Sequence, residues 1–522
     1  MTKRHPQWLE DAVFYEIYPQ SFQDTNADGI GDFAGMTRRL PYIKTLGCNA
    51  IWVNPCFESP FYDAGYDVAD YKKTAPRYGT NDDLRNFFEE AHKLGIHVIL
   101  DLVPGHTSIE HPWFRESMKA ERNEYTDRYI WTNSIWEDCN GIHNISGSLR
   151  GISDRDGSCG VNFYTVQPAL NYGFVNPDRD WMQTPDDPGP AATKEAMKDI
   201  MRFWLKMGCD GFRVDMAGSL VKNDTDGSAT IALWQEFRAF LDAEFPEAVM
   251  ISEWGEPDKS LAGGFHMDFL LHFGPSHYND LFRVENPYFS RQGKGDISGF
   301  VKTYVKNYEQ TAGEGLICIP SGNHDMSRIS ERLDEEEVKL AFAFLLTMPG
   351  APFLYYGDEI GMRHLHGLKS VEGGFGRTCA RSPMQWDSSL NAGFSCAAPE
   401  RLYIPIDPDE NRPTAEKAMA QPDSVYHAVQ ELIALRRAHS ALCSSGKIEF
   451  LYAEKNAYPL IYKRFDEQEE ILVVLNPSGE EVSCEINAGE PAEVLYQRGG
   501  EVVRSGGRLT VPAESVSVLK MV

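Results

Sequence analysis

Short apolar runs alternate with longer amphipathic stretches along most of this chain. The first run, residues 12–18, reads AVFYEIY, and a second, 50–53, follows a helix-like stretch at 33–44. Buried strands of a parallel sheet read as continuous apolar runs, whereas helices repeat their apolar positions three and four residues apart. Thr80, Asn81, Asp82 and Asp83 supply cap-forming side chains ahead of the periodic Leu84, Phe87, Phe88 and Ala91, so a helix begins there and stops at Gly95. A third strand is predicted at 97–103. From 109 to 182 the period is lost in a polar, Gly- and Asn-rich stretch with isolated aromatics. The alternation then resumes, with helices at 193–207, 230–245 and 334–348 and strands at 211–214, 249–253, 267–273, 316–320 and 352–356.

Eight strand candidates with helices between them predict an α/β fold: a parallel (β/α)8 TIM barrel over residues 1–108 and 183–445, with an inserted domain B at 109–182 after the third strand. A last barrel helix fits 424–437. Beyond 446, short β-type runs at 460–463 and 471–475, parted by Gly, Asn and Glu clusters, predict a C-terminal antiparallel β-sandwich, domain C, over 446–522.

Composition narrows the function classes. A chain of 522 residues outgrows a single core, which stops at about 250–300 residues. The net charge of -27 argues against nucleic acid or an anionic membrane as partner. The amino terminus has no apolar signal core, and no apolar run approaches the ~18 residues of a membrane span. The ten cysteines are scattered without zinc-site spacing, and Cys209 and Cys318 sit in apolar segments as buried thiols would. A cytoplasmic location is expected.

Active sites of such barrels lie at the carboxyl ends of the strands. Those ends carry Asp101 and His106, then Arg213 and Asp215, then Glu253, then His324 and Asp325. Arg213 and Asp215 are two apart on a strand and share a face; most such pairs are structural ion pairs. Here the guanidinium is expected to hold Asp215 ionised, as a nucleophile requires. Glu253, beside Trp254 and after an apolar run, is expected to have a raised pKa suited to a general acid. Two carboxylates flanking a sugar bond suffice for glycoside cleavage. His106 and His324 are expected to donate to sugar hydroxyls, and Asp325 to bind hydroxyls next to the reacting carbon.

Asp101-Leu-Val-Pro-Gly-His106, Gly211-Phe-Arg-Val-Asp215, Ile251-Ser-Glu253 and Ser321-Gly-Asn-His-Asp325 resemble the four ordered signature regions of the α-amylase family of glycoside hydrolases. The resemblance covers nearly the whole chain and is strongest to the oligo-1,6-glucosidase and α-glucosidase branch. It implies Asp215 as nucleophile, Glu253 as acid/base and Asp325 as third carboxylate, with His106, Arg213 and His324 binding or supporting the substrate. Gly65-Tyr66-Asp67 resembles the segment that stacks an aromatic on the terminal glucose and anchors its far hydroxyls. Arg377 resembles the arginine that pairs with that aspartate, here Asp67, and blocks the pocket so that one terminal glucose is released.

Residues 24–32 alternate the oxygen donors Asp24, Asn26, Asp28 and Asp32 in a turn-prone loop without the acidic twelfth position of an EF-hand. The loop resembles a metal site of the branch, with a backbone oxygen at Ile30, and implies a structural Ca2+, or Mg2+. Gly105, Ala169 and Ser219 depart from the side chains that help bind a calcium between barrel and domain B in amylases, so that second ion is not expected. Met216 and Trp254, which follow the nucleophile and the acid, match neither linkage pattern of the branch and leave the linkage preference open. The resulting expectation is a retaining exo-acting α-glucosidase on short oligosaccharides with α-1,6 or α-1,4 bonds. A glucosyl transferase or isomerase resembling trehalose synthase is the alternative, and a non-catalytic binding or scaffold protein is the remote one.

Overall fold

The computed structural model describes residues 5–311, 315–486 and 489–522. Eight short strands form one sheet: β1 (Phe14–Ile17), β2 (Ala50–Val53), β3 (His97–Leu102), β4 (Gly211–Val214), β5 (Val249–Ser252), β6 (Met267–Phe269), β7 (Leu316–Cys318) and β8 (Phe353–Tyr355). Neighbours follow chain order and pair in parallel. β8 returns to β1 through Phe14 opposite Phe353, and a parallel bridge from Pro320 to Phe353 closes the barrel.

The helices between and after the strands are α1 (Phe33–Leu46), α2 (Asn81–Lys93), α3 (Pro188–Met207), α4 (Ser228–Glu244), α5 (Pro257–Ala262), α6 (Ser298–Thr311), α7 (Glu335–Thr347) and α8 (Val425–Ala438). Their ends are chemically marked. Thr80 and Asp83 form a reciprocal capping box on α2, Asp32 caps α1, and Gly47 ends α1 with φ 110°, a conformation that side chains resist. Two elements differ from the apolar pattern. Helix α3 begins at Pro188 rather than at 193, because proline in a first turn needs no N–H partner. Strand β6 stops at Phe269 although the apolar run continues to 273, since the chain there leaves the barrel and Phe273 is exposed.

Between β3 and α3 the regular structure is short: a helix at Pro112–Ser117, a 3-10 turn at Thr126–Arg128 and a two-stranded ladder of Gly147–Leu149 with Cys159–Val161. A small cluster of Ile130, Cys139, Ile142, Ala169, Phe174 and Met182 holds this insertion together. Bridges of His106 to Ala169 and Phe174 to Lys222 fasten it over the strand ends.

After α8, β9 (Lys447–Tyr452), β10 (Leu460–Phe465), β11 (Glu470–Asn476), β12 (Val482–Glu485), β13 (Pro491–Arg498), β14 (Val503–Ser505), β15 (Arg508–Val511) and β16 (Ser515–Met521) build two antiparallel sheets. Their orders are β9-β10-β11-β16-β13 and β12-β15-β14. The run at 471–475 is apolar throughout because both faces are covered. Ile471, Val473 and Leu475 join the barrel's core, while Leu472 and Val474 pack with Cys484, Leu509 and Val511 of the smaller sheet. All ten cysteines are free thiols, and no described helix is long and apolar enough to cross a membrane.

Candidate active site

The carboxyl ends of the strands and the insertion enclose a cavity of about 790 Å3. Asp215, Glu253 and Asp325 reach it from β4, β5 and the segment after β7, and Tyr66, His106, Met216, Trp254 and Arg377 line it with them. Asp67, Arg213 and His324 do not.

Arg213 is the buried hub. Its Nη1 donates to Asp101 Oδ1 at 2.7 Å and to Asp215 Oδ1 at 3.0 Å, and its Nη2 lies 2.8 Å from Glu253 Oε1. One guanidinium is therefore divided among three carboxylates in a poorly hydrated wall. Burial pushes Asp215 up to about 7 against the pull of Arg213, and the charge of Asp101 adds to the rise. Burial likewise pushes Glu253 up to about 7, opposed by Arg213 and aided by Asp215. The expectation that Arg213 alone depresses Asp215 fails because desolvation outweighs a shared cation. Met216 sits in the left-handed region, φ 45° and ψ 42°, and its N–H donates to Glu253 Oε2 at 3.2 Å.

Asp325 goes the other way. Burial would raise it, but the ring of His324 and the guanidiniums of Arg381 and Arg377 hold its carboxyl well below the usual range. Arg377 Nη1 and Arg381 Nη2 each lie 2.9 Å from Asp325 Oδ1.

The two histidines are fixed by their partners. His324 is fully buried, with Nδ1 3.1 Å from Asn54 Nδ2 and 2.9 Å from Glu16 Oε1, and Nε2 2.6 Å from Tyr66 Oη. Tyr66 Oη gives its proton to Asp101, so Nε2 carries the ring proton and donates to Tyr66. Glu16, which burial pushes well above its usual range, is then a neutral acid that donates to the one lone pair of Nδ1, with the Asn54 amide beside it. Both nitrogens of His324 are thus used within the protein; it orients Tyr66 and borders Asp325 rather than touching sugar hydroxyls. Tyr66 Oη in turn donates to Asp101 Oδ2 at 3.1 Å.

His106 Nε2 donates to the Tyr66 carbonyl at 3.0 Å, and Asn162 Nδ2 donates to its Nδ1 at 3.1 Å. Burial pushes this imidazole down to about 4, so it is neutral. Lys222 fixes the Asn162 amide where insertion and barrel meet: its Nζ lies 3.1 Å from Asn162 Oδ1 and 2.7 Å from the Ser219 carbonyl, and burial pushes its pKa down to about 7.

The aspartate facing Arg377 is Asp63, not Asp67. Arg377 Nη2 lies 3.2 Å from Asp63 Oδ1, and Gln167 Nε2 donates to Asp63 Oδ2 at 2.8 Å. Asp67 is wholly buried and accepts Ser59 Oγ at 3.1 Å and the N–H groups of Asp63 and Tyr62 at 3.0 and 2.9 Å. It braces the loop that presents Asp63. The sequence holds two Tyr-Asp pairs, 62–63 and 66–67, and only the turn between them decides which aspartate faces the cavity. Glu16, Asp63 and Arg381 are the site residues that pattern alone does not single out.

The donors expected to hold calcium lie outside the cavity. Asp24 Oδ1 accepts from the Asn26 N–H, Asn26 Oδ1 from Asp28 and Asp28 Oδ1 from Ile30, each at 2.9 Å, three consecutive Asx turns. Asp32 accepts the Gly35 N–H at 2.7 Å and the Thr25 N–H at 2.8 Å, and the Thr25 hydroxyl lies 2.9 Å from both its carboxylate oxygens. The all-oxygen set suits a hard cation. Its carboxylates alone do not gather three ligand atoms within 4.8 Å, so the Asn26 amide and Ile30 carbonyl are needed to complete it.

A closed parallel barrel whose strand ends bring three carboxylates to one cavity defines a glycoside hydrolase. Residues 16–445 match the alpha amylase catalytic domain model, and the chain belongs to the α-amylase family. It is 31% identical over 531 residues to an oligo-1,6-glucosidase of Parageobacillus thermoglucosidasius, with 90% of each chain covered. It is 32% identical over 490 residues to the trehalose synthase/amylase TreS of Mycolicibacterium smegmatis, covering 83% of this chain and 77% of that one. Among solved structures, the trehalulose synthase MutB of Pseudomonas mesoacidophila MX-45 superposes with a TM-score of 0.83 at 26% identity, covering 98% of this chain and 99% of that one.

Proposed function

We propose that this glycoside hydrolase is a retaining, exo-acting α-glucosidase that releases one terminal glucose from short α-1,6- or α-1,4-linked oligosaccharides. The observation that carries the exo reading is Arg377, which bridges Asp63 and Asp325 and closes one end of the cavity. A glucose seated against that bridge leaves no room for a further sugar behind it.

In the proposed reaction the Asp215 carboxylate attacks the anomeric carbon while Glu253 gives its proton to the leaving oxygen. Glu253 then takes a proton from the water that releases glucose. Asp215 and Glu253 share Arg213 and titrate around 7, so near neutrality the pair holds about one proton, the state this chemistry uses. Asp325, kept ionised by its two arginines, accepts from hydroxyls beside the reacting carbon and tightens as charge develops there. The oxygen-rich loop at 24–32 would hold calcium as a structural ion remote from these steps.

A second reading, transfer of the glucosyl group to another sugar, is favoured by the mouth of the cavity. Phe163 and Phe273 line it and are 47% and 38% exposed, flat apolar faces on which an acceptor ring can lie. Likeness to TreS and MutB supports it as well. Hydrolysis of p-nitrophenyl α-glucoside by wild type and Asp215→Ala, followed by product analysis on maltose, isomaltose, trehalose and sucrose, tests both. Free glucose as main product supports hydrolysis, a rearranged disaccharide supports transfer, and inactivity of the wild type on every substrate overturns both.

A further inference from the structure

On the rim of the barrel, apart from the cavity, three side chains with metal-binding chemistry converge. Glu331 ends the short 3-10 helix Ile329–Glu331 in the connection after β7, and His364 and His366 lie in the connection after β8. One ligand atom from each lies within 4.8 Å of the other two, and among the described residues this is the one such trio of His, Cys, Asp or Glu. His366 Nε2 stands 3.9 Å from Glu331 Oε1, beyond hydrogen-bond reach, and the two imidazole centroids are 5.0 Å apart at 74°. His364 Nδ1 is buried without a hydrogen-bond partner. Donors that gather this closely yet do not bond one another, on a ring that carries a buried unpartnered nitrogen, have an unmet demand for a cation or water.

We propose that Glu331, His364 and His366 form a binding site for a divalent transition-metal ion, zinc in the first place, held by two imidazole nitrogens and one carboxylate oxygen with its remaining position open to water. Two nitrogen donors favour zinc and its neighbours over calcium or magnesium, which prefer oxygen alone. Of the nearby cations, Arg363 pairs with Asp407 and Asp409 at 3.1 and 2.6 Å, Arg283 donates to the Ser327 and Ser321 carbonyls, and Arg328 pairs through Nη1 with Asp358 at 3.0 Å while its Nε and Nη2 have no hydrogen-bond partner. The ion would join two connections that meet again at the cavity, because the first carries Asp325 and the second carries Arg377 and Arg381.

The test uses the full chain, freed of metal and of any affinity tag, in equilibrium dialysis against zinc chloride with elemental analysis, and in titration with Co2+ followed by visible absorption. Expected are one saturable zinc per chain, Co2+ bands free of thiolate charge transfer, and a melting temperature that rises with zinc. His366→Ala and Glu331→Gln should each weaken binding by at least roughly tenfold, while Cys396→Ser, which alters the exposed thiol, binds as wild type. The His366 side chain is 74% exposed, so its removal leaves the fold intact, and melting without metal checks this. Absence of saturable zinc in the wild type, or undiminished binding in both His366→Ala and Glu331→Gln, would overturn the proposal.

Discussion

Arg377 and Asp63 meet at 3.2 Å across one end of the cavity, while the other arm of the same guanidinium holds Asp325 at 2.9 Å. Position and charge are thereby coupled: the guanidinium that meets Asp63 in the cavity wall also keeps the third carboxylate charged. Removing one partner of such a pair leaves the other unmatched in a poorly hydrated place. Asp63→Asn should therefore lower kcat/KM on a terminal glucoside by about 2–3 kcal/mol, roughly 30- to 160-fold. Asp67→Asn should instead lower the melting temperature, through a loss of about 1–3 kcal/mol where loop N–H groups lose their acceptor. Kinetics and melting curves of the two variants separate the roles, and equal kinetic defects would refute this division.

Of the three carboxylates on Arg213, Asp215 and Glu253 are distinguished by chemistry that needs only one of them. A good leaving group departs without a proton, so Glu253→Ala should form the glycosyl-enzyme from p-nitrophenyl α-glucoside and stall there. Added azide should then restore turnover and give the α-azide, the product of net retention. Asp215→Ala should lose activity by about four orders of magnitude or more on every substrate. An azide of inverted configuration from Glu253→Ala would exchange the two assignments.

The raised value of Asp215 has a consequence for stability. Its folded pKa of about 7 lies above the ordinary 3.8, so between these values the native state binds more protons than the unfolded one. The stability it contributes is present at low pH and is lost as pH rises through 7. Asp215→Asn removes that loss. Relative to wild type the variant should gain about 1–4 kcal/mol between pH 5 and pH 8, read as a widening difference in melting temperature. A difference that stays constant with pH would show that burial does not raise this carboxyl.

Met216 touches both the backbone and the cavity. Its left-handed φ of 45° is costly for a β-branched side chain, and its sulfur lies 3.8 Å from Asn162 Nδ2. Met216→Val should lower the melting temperature by this strain and raise the ratio of kcat/KM on isomaltose to that on maltose by roughly tenfold. An unchanged ratio would remove this position from linkage choice.

The barrel was legible because its information is local. Buried parallel strands have to be apolar, helix starts need caps, and each is visible within about ten residues. Strand ends then nominate Asp215, Glu253 and Asp325, since the fold sends its chemistry there. The eight strands follow their apolar runs, and where the pattern erred, at Pro188 and at residues 270–273, it missed only an element's edge.

What the sequence by itself determined, then, is the architecture, through periodicity and strand-end placement that follow from backbone geometry, and the family, through the resemblance of its four signature segments; the carboxylates at the strand ends it nominated. Tertiary structure alone decided how charge is shared. That Arg213 serves three carboxylates and so leaves all three raised, that His324 turns inward to Glu16 and Asn54, and that Asp63 rather than Asp67 meets Arg377 all depend on contacts between residues from 2 to more than 300 positions apart. Electrostatic energies fall with distance in space and rise with burial, and neither quantity is written along the chain.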